Sequence, residues 1–453
     1  MSTEKLRYLG VFSFFESVPE PRVERTRLHP LVNILVIALL AMICVGEGWE
    51  DMEEFGVAKE AWLGTFLDLR NGTPSADTFR RVLSAVNPKA FNACFIAWVE
   101  ALSQGTSGKL VAIDGKTIRH SFDRATGRKA LHVVSAWIAE NRVTLGQIAT
   151  EEKSNEITAI PKLLELLDIR GATVTVDAMG CQRAIAEQVI DQGGDYIMGL
   201  KGNQETAHKE VQEYFTAASV KDFKDVAHTF HETVDGSEHG RLEVRRAWAS
   251  QELDWFEDLA KWKGLRSIIM IESERTVGSA KTSIERRYYW SSHIIDAKLF
   301  GEMIRAHWGI ENQLHWCLDV GFREDESRVR TDHGPENLAL LCKIAMNLAK
   351  SERTHKKGIQ AKRKLAAWSD PYLLKLLQAG LPQIKPIKTR WPWDRAALRY
   401  AWWRAIKGQV RRDRCARIAA AGRHAKVVAV ASSQRLDSAT SSGVIRGSSN
   451  CAA

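Results

Sequence analysis

Between Leu110 and Leu200 the chain changes its apolar period several times, and that alternation restricts the fold more than any other feature. The runs Leu110–Asp114, Ala130–Ala139 and Arg142–Thr150 read as strands, the last two joined by a turn at Glu140-Asn141. Ile157–Leu167 has the spacing of an amphipathic helix, Ala172–Asp177 is a strand, Gln182–Gln192 a helix, and Tyr196–Leu200 a strand running into Lys201–Gln204. Three strands in direct succession can pair antiparallel, whereas the later ones need helical crossovers. The expectation is a mixed α/β sheet. Two of its strands end on an acid, Asp114 and Asp177. In such sheets the carboxyl ends of neighbouring strands converge on one edge, where sites form.

A third acid stands in a stretch of different character. Ile304, His307, Trp308, Glu311, Leu314, His315 and Leu318 fall at three- and four-residue steps, which predicts one helix over Ala297–Val320. A carboxylate on so apolar a face is costly to desolvate unless a cation or donor meets it. Should this helix pack beside the strand ends, three carboxylates would meet and raise one another's pKa values unless a divalent cation neutralised them. Carboxylate oxygens suit Mg²⁺ or Mn²⁺. Two such ions about 4 Å apart can activate a water or a 3′-hydroxyl against a phosphodiester. Each residue also has a plainer reading. A strand-terminal Asp serves as a helix cap or turn residue, and the His307/Glu311/His315 set is either a metal-binding face or a carboxylate fixed by imidazole hydrogen bonds.

The remaining chain divides by composition. Residues 1–104 read as helical: Pro30 opens the apolar run Leu31–Gly46, Ser75 precedes a capped helix, and Pro88–Leu102 forms another before the Gly/Ser-rich linker Ser103–Gly108. The run at Leu31 is shorter than the roughly 20 residues that a membrane span needs, and it contains Asn33, so it reads as a buried core helix. Residues 105–204 hold the sheet. Residues 205–295 add a helix and four strand-like runs, an insertion before the Glu311 segment, which occupies 296–380 with a further helix from Pro335 to Lys350. From Lys385 to Lys426 there are 13 Lys/Arg against Asp394 and Asp413, about +11, while the whole chain carries +9, so the rest is near neutral. Seven cysteines lack any CxxC pair, which argues against a zinc ribbon or disulfide framework and fits a reducing cytoplasm.

The blocks LVAIDGKTIR, VTVDAMGCQ, YIMGLKGNQ, HGRLEVRR, ERRYYWSS and HWGIENQLHWCLDVGFREDESRVR resemble, in order, those of bacterial insertion-sequence transposases of the ISAs-one family, which includes the H-repeat-associated proteins. HPLVNILVIALLAMICVGEGW and PSADTFRRVL resemble that family's helical transposase-associated domain, and the likeness runs over roughly residues 8–377. The resemblance implies an α/β, RNase H-like catalytic core with a β-rich insertion, preceded by an all-helical domain. It further implies a DDE transposase with Asp114, Asp177 and Glu311 as catalytic and metal-binding triad. Mg²⁺ or Mn²⁺, in two ions, would be its cofactor. Its partners would be double-stranded transposon ends and target DNA, with a dimer or higher assembly in the bacterial cytoplasm and no membrane. The alternatives are an inactive or domesticated DNA-binding copy, and a metal-dependent nuclease without strand transfer.

Related insertion-sequence enzymes carry a Tyr, an Arg and a Lys around the Glu, where this chain has Ile304, His307 and Leu318. Phosphate contacts are therefore expected from Arg305, His307, His315 and Asn312, from Lys116 and from Lys201 and Asn203 past the last core strand. His239 and Arg241 in the insertion are further candidates, with Asp319 as an acid behind the triad. Glu324, Asp325 and Glu326 read as a solvated turn, and Trp290 reads first as core and second as a stacking platform for an unpaired base. Past residue 380 the sequence departs from the family. Trp391, Trp393, Tyr400, Trp402 and Trp403 interleave with Arg395, Arg399 and Arg404, as in nonspecific nucleic-acid binding, yet an extension past a normal stop reads slightly better. Residues 432–453 are Ser-rich and read as disordered.

Overall fold

A computed structural model describes residues 10–380 except 104, 151–154, 237–240, 278–281 and 295. The basic Trp/Arg stretch and the Ser-rich end lie outside the described residues, as does His239.

Among the described residues the centre is a nine-stranded mixed sheet, in which the first five strands of the chain lie side by side in the order third, second, first, fourth, fifth. Its first five strands are β1 (Leu110–Thr117), β2 (His132–Ile138), β3 (Val143–Ala149), β4 (Thr173–Val176) and β5 (Asp195–Leu200). β1 pairs antiparallel with β2 and β2 with β3, while β1, β4 and β5 run parallel. The parallel steps are made through the helices Glu156–Leu164 and Arg183–Asp191, as crossover geometry demands. This order, with one antiparallel strand pair on the outer side of β1, is the RNase H-like arrangement.

The four insertion strands are β6 (His228–Asp235), β7 (Arg241–Ser250), β8 (Ser267–Val277) and β9 (Ser283–Ser291). They form an antiparallel meander whose last strand pairs with β5, so the insertion extends the central sheet. Arg246 holds this extension together across three strands, reaching Glu232 at 2.7 Å, Glu272 at 3.0 Å and Glu274 at 2.9 Å.

One helix carries the sheet's edge into the site. Ala297–His307 begins at Asp296, whose carboxylate accepts the Leu299 N–H at 2.9 Å, and buries Ala297, Phe300 and Ile304 against Ala247, Ala249, Ile269 and Ile271 of the insertion. That packing draws the following turn toward the ends of β4 and β1.

The amino-terminal helices share one apolar core with the sheet. Leu31–Ile43 is buried all round apart from Val32 and lies against Gly334–Ser351, which is buried almost as completely. No single described helix is long and apolar enough to cross a membrane. Arg363, 2% exposed, donates to the carbonyls of Met42, Gly46 and Gly321 and stacks 4.0 Å above Phe322. It fastens the end of the apolar helix to the segment following Glu311.

Candidate active site

The parallel pairing of β1 with β4 ends at Ile113 opposite Val176. β1 itself continues past Asp114 to Thr117, paired only with β2, so the sheet opens on one side at Asp114. Asp177 is the first residue beyond β4. Asp114 therefore stands where the β1–β4 pairing stops, beside Asp177 just past the end of β4. Asp177 is exposed, and its Oδ1 accepts the N–H groups of Met179 at 2.9 Å and Gly180 at 3.2 Å, a local turn that fixes its direction.

Glu311 sits in a π-helical turn, Ile310–His315, between the helices Ala297–His307 and Trp316–Phe322. The single helix expected over Ala297–Val320 is thus broken into three. Gly309 marks the break: a Cβ there would lie 2.7 and 2.8 Å from the indole ring of Trp137, so the backbone is pressed against a buried aromatic. A widened turn accommodates that contact, and such turns recur at functional sites. The four-residue stack of His307, Glu311 and His315 does not act as one face. His307 Nδ1 meets the Thr175 hydroxyl at 2.8 Å, His315 Nδ1 lies 3.5 Å from Asp114 Oδ2, and Glu311 is exposed. Gly309→Ala should cost about 1–3 kcal/mol by overpacking. In urea unfolding, Gly309→Ala combined with Trp137→Ala should cost less than the two single changes together; additive costs would disprove the contact's role.

The acids are coupled electrostatically. Asp114 is pushed up to about 7, first by burial and then by the charges of Glu156, Asp177 and Glu311, with the Gly115 N–H bond opposing. Glu311, exposed as a residue but with its carboxyl partly desolvated by its surroundings, is also raised, first by that desolvation and then by Asp177, while Arg287 and Lys201 pull it back. Burial lowers His307 to about 4. Burial, Lys343 and Lys116 lower His315 to about 3, and its buried Nε2 has no hydrogen-bond partner. Among the described residues no three His, Cys, Asp or Glu side chains are grouped closely enough to hold an ion as they stand. The donor set nevertheless fits a hard divalent cation: oxygen ligands on neighbouring strand ends, their negative charges raising the pKa of Asp114.

Other expected site residues fall in varied places. Lys116 is engaged within the chain: its Nζ lies 2.8 Å from Asp319, 3.1 Å from Glu324 and 2.9 Å from Asp325, with its side chain 11% exposed. Burial opposes its charge, but Glu324, Asp319 and Asp325 raise its pKa above the usual lysine value. Asp319 is accordingly a partner of Lys116, and Glu324 is buried at 4% exposure, so the 324–326 turn is solvated only in part. Trp290 is fully buried, 4.0 Å from the Trp262 ring, and is core. Lys201 is exposed beside Glu311's field, and Asn203 donates to the Ala178 carbonyl, tying its turn to the Asp177 loop. Arg305 is exposed, 3.6 Å from Asp235; Asn312 donates to the Trp308 carbonyl at 3.1 Å; Arg241 opens β7.

Sequence reasoning missed Arg287, which lies 4.6 Å above the Trp308 ring, pairs with Glu285 at 2.8 Å and acts on Glu311. The alternation of β9 placed it on a strand, and only the fold shows which helix that strand faces. It also missed the pair Glu156 and His132, in contact at 2.8 Å.

An RNase H-like sheet with an acid in β1 where its pairing with β4 stops, another just past β4 and a third in a helical turn returning after an insertion is the arrangement expected of the DDE class of nucleic-acid strand-processing enzymes. Comparison with known proteins narrows this. Residues 105–348 match the family described as the transposase DDE domain, and residues 12–99 match the domain described as DDE_Tnp_1-associated. The chain belongs to the transposase DDE domain family. It is 39% identical over 371 residues to YncI of Escherichia coli O157:H7, which bears a transposase name, covering 81% of this chain and 94% of that one. It is 38% identical over 364 residues to the H repeat-associated protein YhhI of Escherichia coli (strain K12), covering 80% and 95%. A piggyBac transposase synaptic complex with hairpin DNA aligns over 84% of this chain and 86% of that one at 11% identity and a TM-score of 0.37, too slight a likeness to argue from. The chain is thus a DDE transposase, of a family that acts on DNA with divalent metal ions.

Proposed function

We propose that this transposase cleaves the ends of its own element and joins them to target DNA, with Asp114, Asp177 and Glu311 as the residues that hold Mg²⁺ or Mn²⁺, in two ions. The observation supporting this most is the placement of Asp114 where the β1–β4 pairing stops, beside Asp177 just past β4, with the charges of Asp177 and Glu311 acting on Asp114 and that of Asp177 on Glu311. The bound ions would supply Lewis acidity to the attacking and leaving oxygens. A water oxygen forms a bond to phosphorus, the P–O3′ bond breaks, and the departing oxygen takes up a proton as a 3′-hydroxyl. In the second step that hydroxyl displaces one strand oxygen at a target phosphodiester. One ester replaces another, so no nucleotide cofactor is needed.

The chain's own groups bind and orient. His315 stands against Asp114 and His307 holds the end of β4 through Thr175, which gives both a positioning part in this reading. Lys201 and Arg287, whose charges act on Glu311, are assigned to the phosphate backbone together with Arg305 and Asn312; Asn203, Arg241 and His239 extend the same assignment to the turn after β5 and the insertion. We assign residues 1–104 as a helical transposase-associated domain, 105–204 and 296–380 as the two parts of the catalytic core, 205–295 as the insertion, and the remainder as a basic tail. Joining two ends requires at least a dimer on the DNA, and the substrate places the enzyme in the cytoplasm with the nucleoid.

The test is a gel assay of purified protein on labelled DNA from the gene's own flanks, with Mg²⁺ or Mn²⁺. Nicked and joined products that disappear in Asp114→Asn and Glu311→Gln are expected. Nicks without joining would reduce the protein to a nuclease, and binding unchanged by either substitution would mean that the site is inert.

A further inference from the structure

The space over Gly115, directly after Asp114, is filled by two side chains that the scheme above leaves unused. A Cβ on Gly115 would overlap Glu156 Oε1 and His132 Nε2, so any other residue at 115 would displace one or both. Glu156 is the first residue of the helix Glu156–Leu164, with its side chain 12% exposed. Its Oε1 meets His132 Nε2 at 2.8 Å, and His132 Nδ1 meets the Thr117 hydroxyl at 2.8 Å. A carboxylate only accepts, so Nε2–H donates to Glu156 and Nδ1 accepts from Thr117. The imidazole is thereby held at both ends, and it fixes the carboxylate above the strand that bears Asp114. Thr117 and His132 are register partners in the β1–β2 ladder, which makes the arrangement part of the sheet.

An acid in the first turn of a helix is stabilising in itself. That role does not require the carboxylate to lie over β1, nor a glycine beneath it.

We propose that Glu156 is a fourth carboxylate of the catalytic centre, carried over Gly115 by His132, and that it shares with Asp114 the binding of a divalent ion. The proposal rests on the reading of Asp114, Asp177 and Glu311 as the ion site. It assigns Gly115 a definite purpose: the absent side chain is the opening through which Glu156 reaches the centre.

The experiment is a Mn²⁺ titration of the full chain without DNA, followed by electron paramagnetic resonance, with thermal unfolding of each variant in parallel. Glu156→Gln keeps an acceptor for His132 and removes the charge. Glu156→Asp keeps the charge at the helix terminus and withdraws it by one methylene. Gly115→Ala leaves Glu156 in the chain and displaces it. All three should weaken Mn²⁺ binding by about 10-fold or more, the usual range for groups supporting a metal site, without lowering the metal-free melting temperature in the case of Glu156→Asp. Wild-type Mn²⁺ affinity in Glu156→Gln and Glu156→Asp, together with a loss in Asp114→Asn, would overturn the proposal and leave Glu156 a helix-terminal acid. Unchanged affinity in Asp114→Asn as well would overturn the reading of the triad on which it rests.

Discussion

Replacing Asp114 by Asn should abolish strand cleavage, by on the order of a thousandfold or more, and at the same time make the metal-free protein more stable above neutral pH. The two effects share one cause. Burial and the charges of Glu156, Asp177 and Glu311 hold Asp114 at about 7 in the folded chain, against an ordinary aspartate value near 4 in the unfolded one. A carboxylate with a raised folded pKa binds its proton more tightly when folded, so its contribution becomes unfavourable as pH rises from about 4 and is fully unfavourable above about 7. The gap amounts to roughly 4 kcal/mol at pH 8. Asp114→Asn removes that cost. Thermal unfolding in EDTA should show the variant and the parent nearly equal near pH 4 and the variant higher by several degrees at pH 8. Adding Mg²⁺ should raise the parent and leave the variant where it was. A variant that melts below the parent at pH 8 in EDTA would mean that Asp114 is held by favourable partners, and the site would have to be redrawn.

How much of this arrangement is written locally in the chain differs from element to element. The order of strands and helices from Leu110 to Leu200 is legible because each element buries one face and carries its own period. The same holds for the two acids, which stand where apolar strand runs stop. The continuation of β1 to Thr117 is not legible, because Gly115 and Lys116 look like a turn. Gly115 is there for close packing with Glu156 and His132, and Lys116 is there for acids more than 200 residues away, at 319, 324 and 325. The break at Gly309 is equally invisible to periodicity, since its cause is the Trp137 indole in β2. The insertion strands are legible one by one, but their fusion to the sheet is a pairing of β9 with β5, which no local pattern encodes. In each case the missing information is a contact between segments far apart in sequence, and those contacts set the site's geometry.

Lys116 gives the sharpest case, because its two readings predict opposite results. As a clamp it joins β1, two residues past Asp114, to the segment eight to fourteen residues past Glu311, through Asp319, Glu324 and Asp325. Lys116→Met should then destabilise the protein by about 3–5 kcal/mol, the cost of leaving a buried ion pair half made, since Glu324 is 4% exposed. Lys343 is poorly placed to compensate: it is itself wholly buried, and burial lowers its pKa despite the pull of Glu324. The sign with pH follows from the raised value of Lys116. A lysine whose folded pKa is raised contributes stability that is complete below its unfolded value near 10.4 and is lost only as pH climbs through the folded one. The loss in Lys116→Met should therefore be the same at pH 6 and pH 8, and burial should leave it insensitive to added salt. Adding Glu324→Gln to Lys116→Met should recover part of the stability by removing the stranded charge. A phosphate-binding lysine would behave otherwise: unfolding by urea would be unchanged, DNA affinity would fall for every sequence, and the slope of log K against log salt would drop by about one. Equal urea midpoints for Lys116→Met and the parent would return Lys116 to the DNA-binding surface and free Asp319 and Glu324 for another partner.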